Sequence, residues 1–473
     1  MNRLSDLIKN LKINAYPLLT IFHIVLGIFL YCMPKYGLPL GAILLSTAVL
    51  VIVKTRNKNQ EVLFAVAYFA GFEVLLRMLG GTSYEFSKYG VLLLAALGIF
   101  LSGVSKKSWL YLLYLALLLV SLLMVEKVWQ VSRPLLNLIV FNLSGPICLG
   151  VLSIYTFGKK ICFERFSGIL TMAALPTLSL ATLVFLRSPD ISAMTISDSN
   201  PQFSGGFGPN QVATALGMGM FVFFFRAVLH SGSTKLLAIN LVCASFVVYV
   251  GLLTFSRGGM ITGLCTVLVM LALVFLSSGN DGRAKARRGL TVFTASFTLV
   301  FTLICFQTDG LLAKRYTNRD HTGRFKKPKE GDRQKLALKE VELFIDNPLV
   351  GAGVAGGEEK RKSSFGKNYH SHGEFTRMLG EHGSMGAAAL LILLLIPARL
   401  LYTGRQHLLI ATLFVFWFLT INHSGMRLVA PTFFYALMLL QIDFTKAAVF
   451  LRLKSKRRAS QAVHPQQTAL SSI

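Results

Sequence analysis

Residues 236–278 read LLAINLVCASFVVYVGLLTFSRGGMITGLCTVLVMLALVFLSS. Two apolar blocks, residues 236–254 and 258–277, are separated here only by a short turn that contains Ser256 and Arg257. A helix of about 20 apolar residues is long enough to cross a hydrocarbon core about 30 Å thick. The stretch therefore predicts a hairpin of two membrane-spanning helices with an arginine at its tip.

Apolar blocks of this kind recur along most of the chain, which is 53% hydrophobic. Short polar segments separate them, whereas the helices of a soluble core would show polar faces at helical spacing. We predict an all-α fold, a polytopic transmembrane helical bundle of about 12–14 spans with one large, partly helical periplasmic loop. The candidate spans are residues 15–33, 38–53, 61–79, 89–104, 108–125, 135–156, 167–186, 210–229, 236–254, 258–277, 290–307, 384–402, 407–421 and 427–445.

The formal net charge of +27 fits either a nucleic-acid-binding protein or the charge bias of a membrane protein. The lysines and arginines lie in short loops between apolar blocks and not on one basic face, which disfavours nucleic acid. If the N-terminus is cytoplasmic, the excess of Lys and Arg falls on the cytoplasmic side at every alternation of the spans. We therefore predict a multi-pass protein of the bacterial inner membrane with both termini in the cytoplasm.

A long polar segment, residues 308–383, falls on the periplasmic side in this scheme. Its charges do not oppose that placement, because long loops are translocated largely regardless of charge. Within it, residues 333–346 are predicted to form an amphipathic helix that Asn347-Pro348 ends. The predicted organisation is N-terminal spans in 1–186, central spans in 187–307, a periplasmic catalytic loop in 308–383, C-terminal spans in 384–445 and a basic cytoplasmic tail in 446–473.

Two basic features at the predicted outer face are candidates for binding an anion. Arg257 either contacts a ligand, where the neighbouring glycines let the backbone approach closely, or only reaches the lipid headgroups. The basic run of the large loop either binds phosphate through the planar arginine fork or is a solvated charged loop. The run consists of Arg315, Arg319, Arg324, Lys326, Lys327, Lys329 and Arg333.

The segment His370–Glu374 offers imidazoles for proton transfer, because a neutral histidine accepts a proton from a hydroxyl near neutral pH. The alternatives are a surface histidine and a metal ligand, the latter because His370, His372 and Glu374 lie close in the sequence. The segment is not HExxH and no Cys or Asp cluster accompanies it. We therefore predict no metal site.

Glu73 and Arg77 stand four residues apart in the third candidate span and share a helix face. Ionisable residues inside a span are costly and tend to mark function. The pair therefore indicates either a substrate site near the outer face or a structural ion pair.

Four parts of the chain together resemble the family of O-antigen ligases and O-antigen polymerases, over roughly residues 200–440. The first part resembles the family's Pro-Asn entry to a helix, and the second resembles its Ser-Arg-Gly turn. The third resembles its Gly-Arg pair, which is followed by a helix and a glycine-rich run. The fourth resembles its histidine–glutamate run. Gly373 stands where the family has Asn, and Ala337 where it has Trp. The parts are Gly206–Asn210, Thr254–Gly259, Gly331–Arg333 with Asp346–Gly353, and His372–Phe375 with Glu381, Gly383 and Gly386.

The resemblance implies an O-antigen ligase-like glycosyltransferase that needs no metal or other cofactor. It implies a glycan on undecaprenyl diphosphate as donor, a saccharide such as lipid A-core as acceptor, and inversion at the anomeric carbon. His372 is then the candidate general base, and Arg257 and Arg333 are the catalytic groups that stabilise the leaving diphosphate. The candidate substrate-binding residues are Arg324, Arg315, Arg77, Asn210, Glu374 and Glu381.

The sequence is also compatible with two other functions. A polymerase that joins repeat units on the same carrier would use the same chemistry with a different acceptor. A transporter of lipid-linked anionic sugars would use the arginines only for binding, although the sequence shows neither the internal repeat nor the paired broken helices common in transporters. The expected partners in all three cases include membrane lipid and exclude nucleic acid.

Overall fold

The computed structural model describes residues 2–80, 83–128, 135–189, 198–326, 333–358, 371, 373–403 and 408–443. Over these residues the fold is an all-α polytopic bundle, as predicted. The helices are α1 Asn2–Cys32, α2 Gly37–Thr55, α3 Glu61–Leu79, α4 Phe86–Ser102, α5 Trp109–Val120, α6 Leu135–Thr156, α7 Phe163–Arg187, α8 Pro209–Leu229, α9 Thr234–Leu253, α10 Arg257–Ser277, α11 Asn280–Gln307, α12 Leu311–Tyr316, α13 Arg333–Asp346, α14 Glu374–Tyr402, α15 Leu408–His423 and α16 Val429–Met438.

Eleven helices in the described part of the chain are long and apolar enough to cross a membrane, and three further apolar helices are shorter. Each of the fourteen predicted spans corresponds to one of them. Two helices begin ten residues before the predicted span, α11 at Asn280 and α14 at Glu374. The helix α14 is broken at Gly383, whose φ of 59° is left-handed and favours glycine.

Contacts between helix ends at the two ends of the bundle agree with spans that cross the membrane in alternating directions. At one end of the bundle Arg77, near the end of α3, donates to Gln211, at the start of α8. At the other end the short strand β1, Lys160–Cys162, pairs in parallel with the strand β2, Gln441–Asp443. Alternation assigns the first group to the side of the large polar loop and the second to the opposite side.

The helices α8 and α10 touch through their backbones. A Cβ added at Gly217 would lie 2.3 Å from the carbonyl oxygen of Gly259, and one added at Gly263 would lie 2.6 Å from the carbonyl oxygen of Gly217. Small residues let membrane helices approach this closely. The contact fixes the start of α10, and with it Arg257, against α8.

The large polar loop is partly helical, as predicted, and α13 has the predicted bounds. Leu336 and Leu343 bury one face of α13, and the carboxylate of Glu340 accepts a hydrogen bond from Thr376 of α14 at 2.6 Å. The break at Gly383 lies where the chain after α13 crosses α14, because a Cβ there would lie 2.5 Å from the backbone nitrogen of Gly351. The part of α14 before Gly383 therefore belongs to the large polar loop.

Candidate active site

The turn before α10 holds its first residues in an unusual conformation. Phe255 has φ of 55°, which is strained for a residue other than glycine. Ser256 occupies the N-cap position without capping the helix, because its hydroxyl donates to Oδ1 of Asn210 at 2.8 Å. The first amides of α10 are therefore left without a side-chain cap, and the N-terminus of a helix favours negative charge.

Three arginines that the sequence singled out lie around this turn, and we name them the arginine cluster: Arg257, Arg315 and Arg333. Nη1 of Arg257 donates to the carbonyl oxygen of Arg315 at 3.2 Å, and Nε of Arg315 donates to the carbonyl oxygen of Phe255 at 2.9 Å. Arg333, the first residue of α13, lies within electrostatic range of both. Residues from three separate segments thus bring their charges together at the start of α10.

The like charges in the arginine cluster repel one another. Partial burial and the charge of Arg257 lower the pKa of Arg315, against a smaller opposing effect of Asp198. Desolvation by neighbouring groups and the charge of Arg257 also lower the pKa of Arg333, although Arg333 as a whole residue keeps access to solvent. An anion bound among these side chains would relieve the repulsion between their charges.

Asp198 links the outer segment before α8 to the large loop. Its Oδ1 accepts from Nη1 of Arg315 at 3.2 Å and forms an ion pair with Lys326. Its side chain is 40% exposed, so this carboxylate stands at the rim of the cluster. Among these residues positive charge remains in excess.

Arg324, also predicted to bind substrate, lies apart in an exposed turn. Its backbone nitrogen donates to Oδ1 of Asp320 at 2.9 Å, and its carbonyl oxygen accepts from the backbone nitrogen of Asp320 at 2.8 Å. The turn joins the two sides of a short hairpin closed by a bridge between Arg319 and Phe325. Arg315, and not Arg324, therefore takes part in the hydrogen bonds that hold the arginine cluster together.

Glu374 and Glu381 are both paired with an arginine that sequence reasoning missed. Arg377 forms an ion pair with Glu374 and donates to Oε2 of Glu381 at 2.8 Å. All three side chains are buried. Their spacing of three and four residues was visible in the sequence as a possible helical pair, but their burial depends on neighbours distant in the chain.

His372 lies outside the described residues, but residues on both sides of it are placed. Ser371 is buried, and its hydroxyl donates to the carbonyl oxygen of Gly373 at 3.1 Å. Oε2 of Glu374 then accepts from the backbone nitrogen of Met426 at 3.0 Å. Glu374, two residues after His372, therefore anchors the chain to the connection between α15 and α16.

That connection, residues 423–429, is a second feature that sequence reasoning missed, and we name it the 423–429 turn. His423 contacts Gly258 and Thr214, next to the arginine cluster, while Met426 contacts Glu374. The polar run at 422–427 between two apolar blocks was the available signal, of the same kind as the turn at Ser256. The 423–429 turn therefore contacts both the segment that carries His372 and the segment that carries Arg257.

Arg77 is fully engaged by protein groups. Nη2 donates to Oε1 of Glu73 at 2.7 Å and to the carbonyl oxygen of Arg427 at 3.1 Å. Nη1 donates to Oε1 of Gln211 at 2.8 Å, and Nε donates to the carbonyl oxygen of Tyr84 at 2.9 Å. These contacts favour the structural alternative for the pair, since Arg77 fastens α3 to the 423–429 turn and to the residue beside Asn210.

Removal of this arginine is expected to destabilise the protein more than to change its kinetics. Arg77→Ala leaves the buried carboxylate of Glu73 without its cation, which typically costs about 3–5 kcal/mol. A lower melting temperature in detergent is the expected measurement. The paired variant Glu73→Gln/Arg77→Met should melt above the single variant, because neither member of the pair then remains as a buried charge without its partner. A single variant that melts like the wild type would contradict this role.

The residues that the structure describes contain no group of three His, Cys, Asp or Glu side chains placed to hold a metal ion. The charged groups gathered at the start of α10 are three arginines, Lys326 and one carboxylate, Asp198, so cations that can bind an anion predominate. Of the three residues that suggested a metal ligand set, His370 and His372 lie outside the described residues.

A comparison with known protein families finds a match in the central part of the chain. Residues 218–391 match a family model described as O-antigen ligase. The matched region contains the arginine cluster and His372 but neither Asn210 nor the 423–429 turn. No curated protein matches the chain.

Proposed function

We propose that this chain, whose residues 218–391 match the O-antigen ligase family, transfers a glycan from undecaprenyl diphosphate to a saccharide acceptor such as lipid A-core. The reaction takes place at the periplasmic face of the inner membrane. The arginine cluster at the uncapped start of α10 is the observation that carries the proposal. Charges that repel one another in the free protein are suited to a ligand with several negative charges.

The diphosphate of the donor is the ligand that fits this cluster. Each phosphate oxygen accepts hydrogen bonds, and the planar guanidinium matches a phosphate with two parallel donors. Arg257 and Arg333 contact the diphosphate and stabilise the charge that grows on it as it leaves. Arg315, held by the carbonyl oxygen of Phe255, adds a third cation.

The transfer is a single displacement at the anomeric carbon. An acceptor hydroxyl oxygen attacks this carbon and forms the new glycosidic bond, while the bond from the carbon to the phosphate oxygen breaks. The electron pair of that bond leaves with undecaprenyl diphosphate. The hydroxyl proton passes to the imidazole of His372, the general base.

The other candidate residues take supporting roles in this proposal. Glu374 and Glu381 hold the start of α14 through Arg377. Asn210 holds Ser256 and so the turn that carries Arg257. Arg324 reaches the donor or acceptor from the exposed hairpin. The apolar surface of the spans accommodates the polyprenyl chain in the bilayer.

Activity is expected to survive chelation of divalent metal ions. The arginines supply the positive charge that a metal ion would otherwise provide at the leaving group. Transfer from a defined lipid-linked oligosaccharide should therefore proceed at an unchanged rate in excess EDTA. A rate that falls on chelation and returns with added Mg²⁺ or Mn²⁺ would overturn this part of the proposal.

Deletion of the gene separates a ligase from a polymerase with the same chemistry. We expect the deletion to leave long glycan chains attached to the carrier and missing from lipid A-core, because a ligase acts on finished chains. The glycolipids are to be extracted and resolved by gel electrophoresis and mass spectrometry. Accumulation of single repeat units on the carrier would assign the polymerase function instead.

A further inference from the structure

We propose that His423 is a positioning residue that sets the turn at Ser256–Gly258, and through it Arg257 and Arg315, for the donor diphosphate. This inference deepens the proposed function and rests on it. His423 lies at the end of α15, outside the region matched by the family model.

The imidazole of His423 lies directly against the start of α10. A Cβ added at Gly258 would lie 2.5 Å from Cδ2 and 2.7 Å from Cγ of His423. Such separations are far below van der Waals contact, so the ring occupies the space that a side chain at residue 258 would need. The next residue of α10 touches the backbone of α8, since a Cβ at Gly259 would lie 2.2 Å from the carbonyl carbon of Ala213. The start of α10 is thus held by close contacts with both α8 and this ring.

Hydrogen bonds fix the orientation of the ring. Nδ1 of His423 lies 2.8 Å from the carbonyl oxygen of Leu419. Because a carbonyl oxygen only accepts, Nδ1 carries a hydrogen. Nε2 lies 3.1 Å from the hydroxyl oxygen of Thr214, which itself donates to the carbonyl oxygen of Asn210 at 2.7 Å. Thr214 lies one turn after Asn210, whose Oδ1 holds Ser256. The ring therefore joins α8, α10 and α15 at one point.

The turn at Ser256–Gly258 determines the position of two members of the arginine cluster, Arg257 and Arg315. Phe255 keeps its strained left-handed conformation only because its surroundings hold it there. In that conformation its carbonyl oxygen accepts from Nε of Arg315 at 2.9 Å, while Arg257 begins the helix two residues later. A change in the support of the turn is therefore expected to move both guanidinium groups together.

His423 does not reach the substrate in this account. The residue is 6% exposed, and both ring nitrogens face protein groups. In the same 423–429 turn, the backbone nitrogen of Met426 donates to Oε2 of Glu374. The 423–429 turn thus contacts both the turn that carries the arginines proposed to bind the diphosphate and the segment that carries the proposed general base.

The test is a double-mutant cycle between His423→Ala and Gly258→Ala, read from transfer kinetics with a defined undecaprenyl-diphosphate oligosaccharide. Each single variant should lower kcat/KM for the donor by about 100-fold, as expected for a misplacement near 1 Å, with an unchanged KM for the acceptor. The double variant should be no worse than His423→Ala alone, because removal of the ring removes its clash with the methyl group added at position 258. Asn422→Ala, at an exposed residue next to His423, is the matched control and should behave like the wild type.

Thr214→Val provides a second readout if His423→Ala fails to accumulate. It removes the hydroxyl that faces Nε2 with little change in volume, and it should weaken the donor kinetics in the same direction. Losses that multiply in the double variant, or a KM for the acceptor that rises together with the loss in donor kinetics, would overturn the positioning role while leaving the proposed function intact. A wild-type protein that transfers nothing from the lipid-linked donor would instead overturn both.

Discussion

The His372→Ala variant is expected to insert normally and to lose glycan transfer. A general base contributes about 10²–10⁴-fold to the rate of such a step. Protein abundance in the membrane and transfer from a lipid-linked donor are the two measurements. The kinetic loss should appear in kcat, because the acceptor hydroxyl is still bound but is no longer deprotonated.

His321→Ala is the matched control for this variant. His321 lies in the same large loop and is exposed on the hairpin that also carries Arg324. Its replacement should leave transfer unchanged, since its side chain has no part in the proposed reaction. If His372→Ala retained transfer near the wild-type rate, the base would have to be another group and this part of the mechanism would be wrong.

Loss of an arginine from the cluster has the second large expected effect. Arg257→Ala or Arg333→Ala should lose about 2–4 kcal/mol of transition-state stabilisation, by analogy with the removal of one oxyanion donor. The physical reason is that each guanidinium neutralises charge that grows on the departing diphosphate. The measurement is kcat/KM for transfer from the lipid-linked donor, with abundance measured in parallel.

Two comparisons sharpen the arginine experiment. Arg319→Ala removes an arginine of the same loop whose guanidinium lies over the ring of Phe325 at 5.0 Å, and it should transfer normally. The double variant Arg257→Ala/Arg333→Ala should lose less than the sum of the two single losses in free energy, because both groups act on one diphosphate. Near-normal product from Arg257→Ala would remove that residue from the site.

The spans and α13 were predictable because their signals are local. Apolar blocks of span length identify membrane helices without knowledge of their neighbours, and α13 follows from its amphipathic pattern and from the Asn347-Pro348 stop. The start of α14 was not predictable in the same way. Its first turns are polar, and the break at Gly383 depends on the passage of Gly351 beside it.

The candidate site was predictable only in part. The resemblance indicated Arg257 and Arg333, which the structure places within electrostatic range of each other. It gave no indication that Arg377 pairs with both Glu374 and Glu381, since that pairing depends on burial by distant segments. The contact of Arg77 with the carbonyl oxygen of Arg427 joins residues 350 positions apart, and local patterns carry no information about it.

The most direct measurement is transfer by the purified protein from a defined undecaprenyl-diphosphate oligosaccharide to lipid A-core, with products identified by mass. We expect the acceptor to gain the full mass of the donor glycan and undecaprenyl diphosphate to appear in equal amount, with both products greatly reduced in Arg333→Ala. Movement of intact donor across a bilayer without any new glycosidic bond would contradict the account, because the arginines would then serve transport and not catalysis.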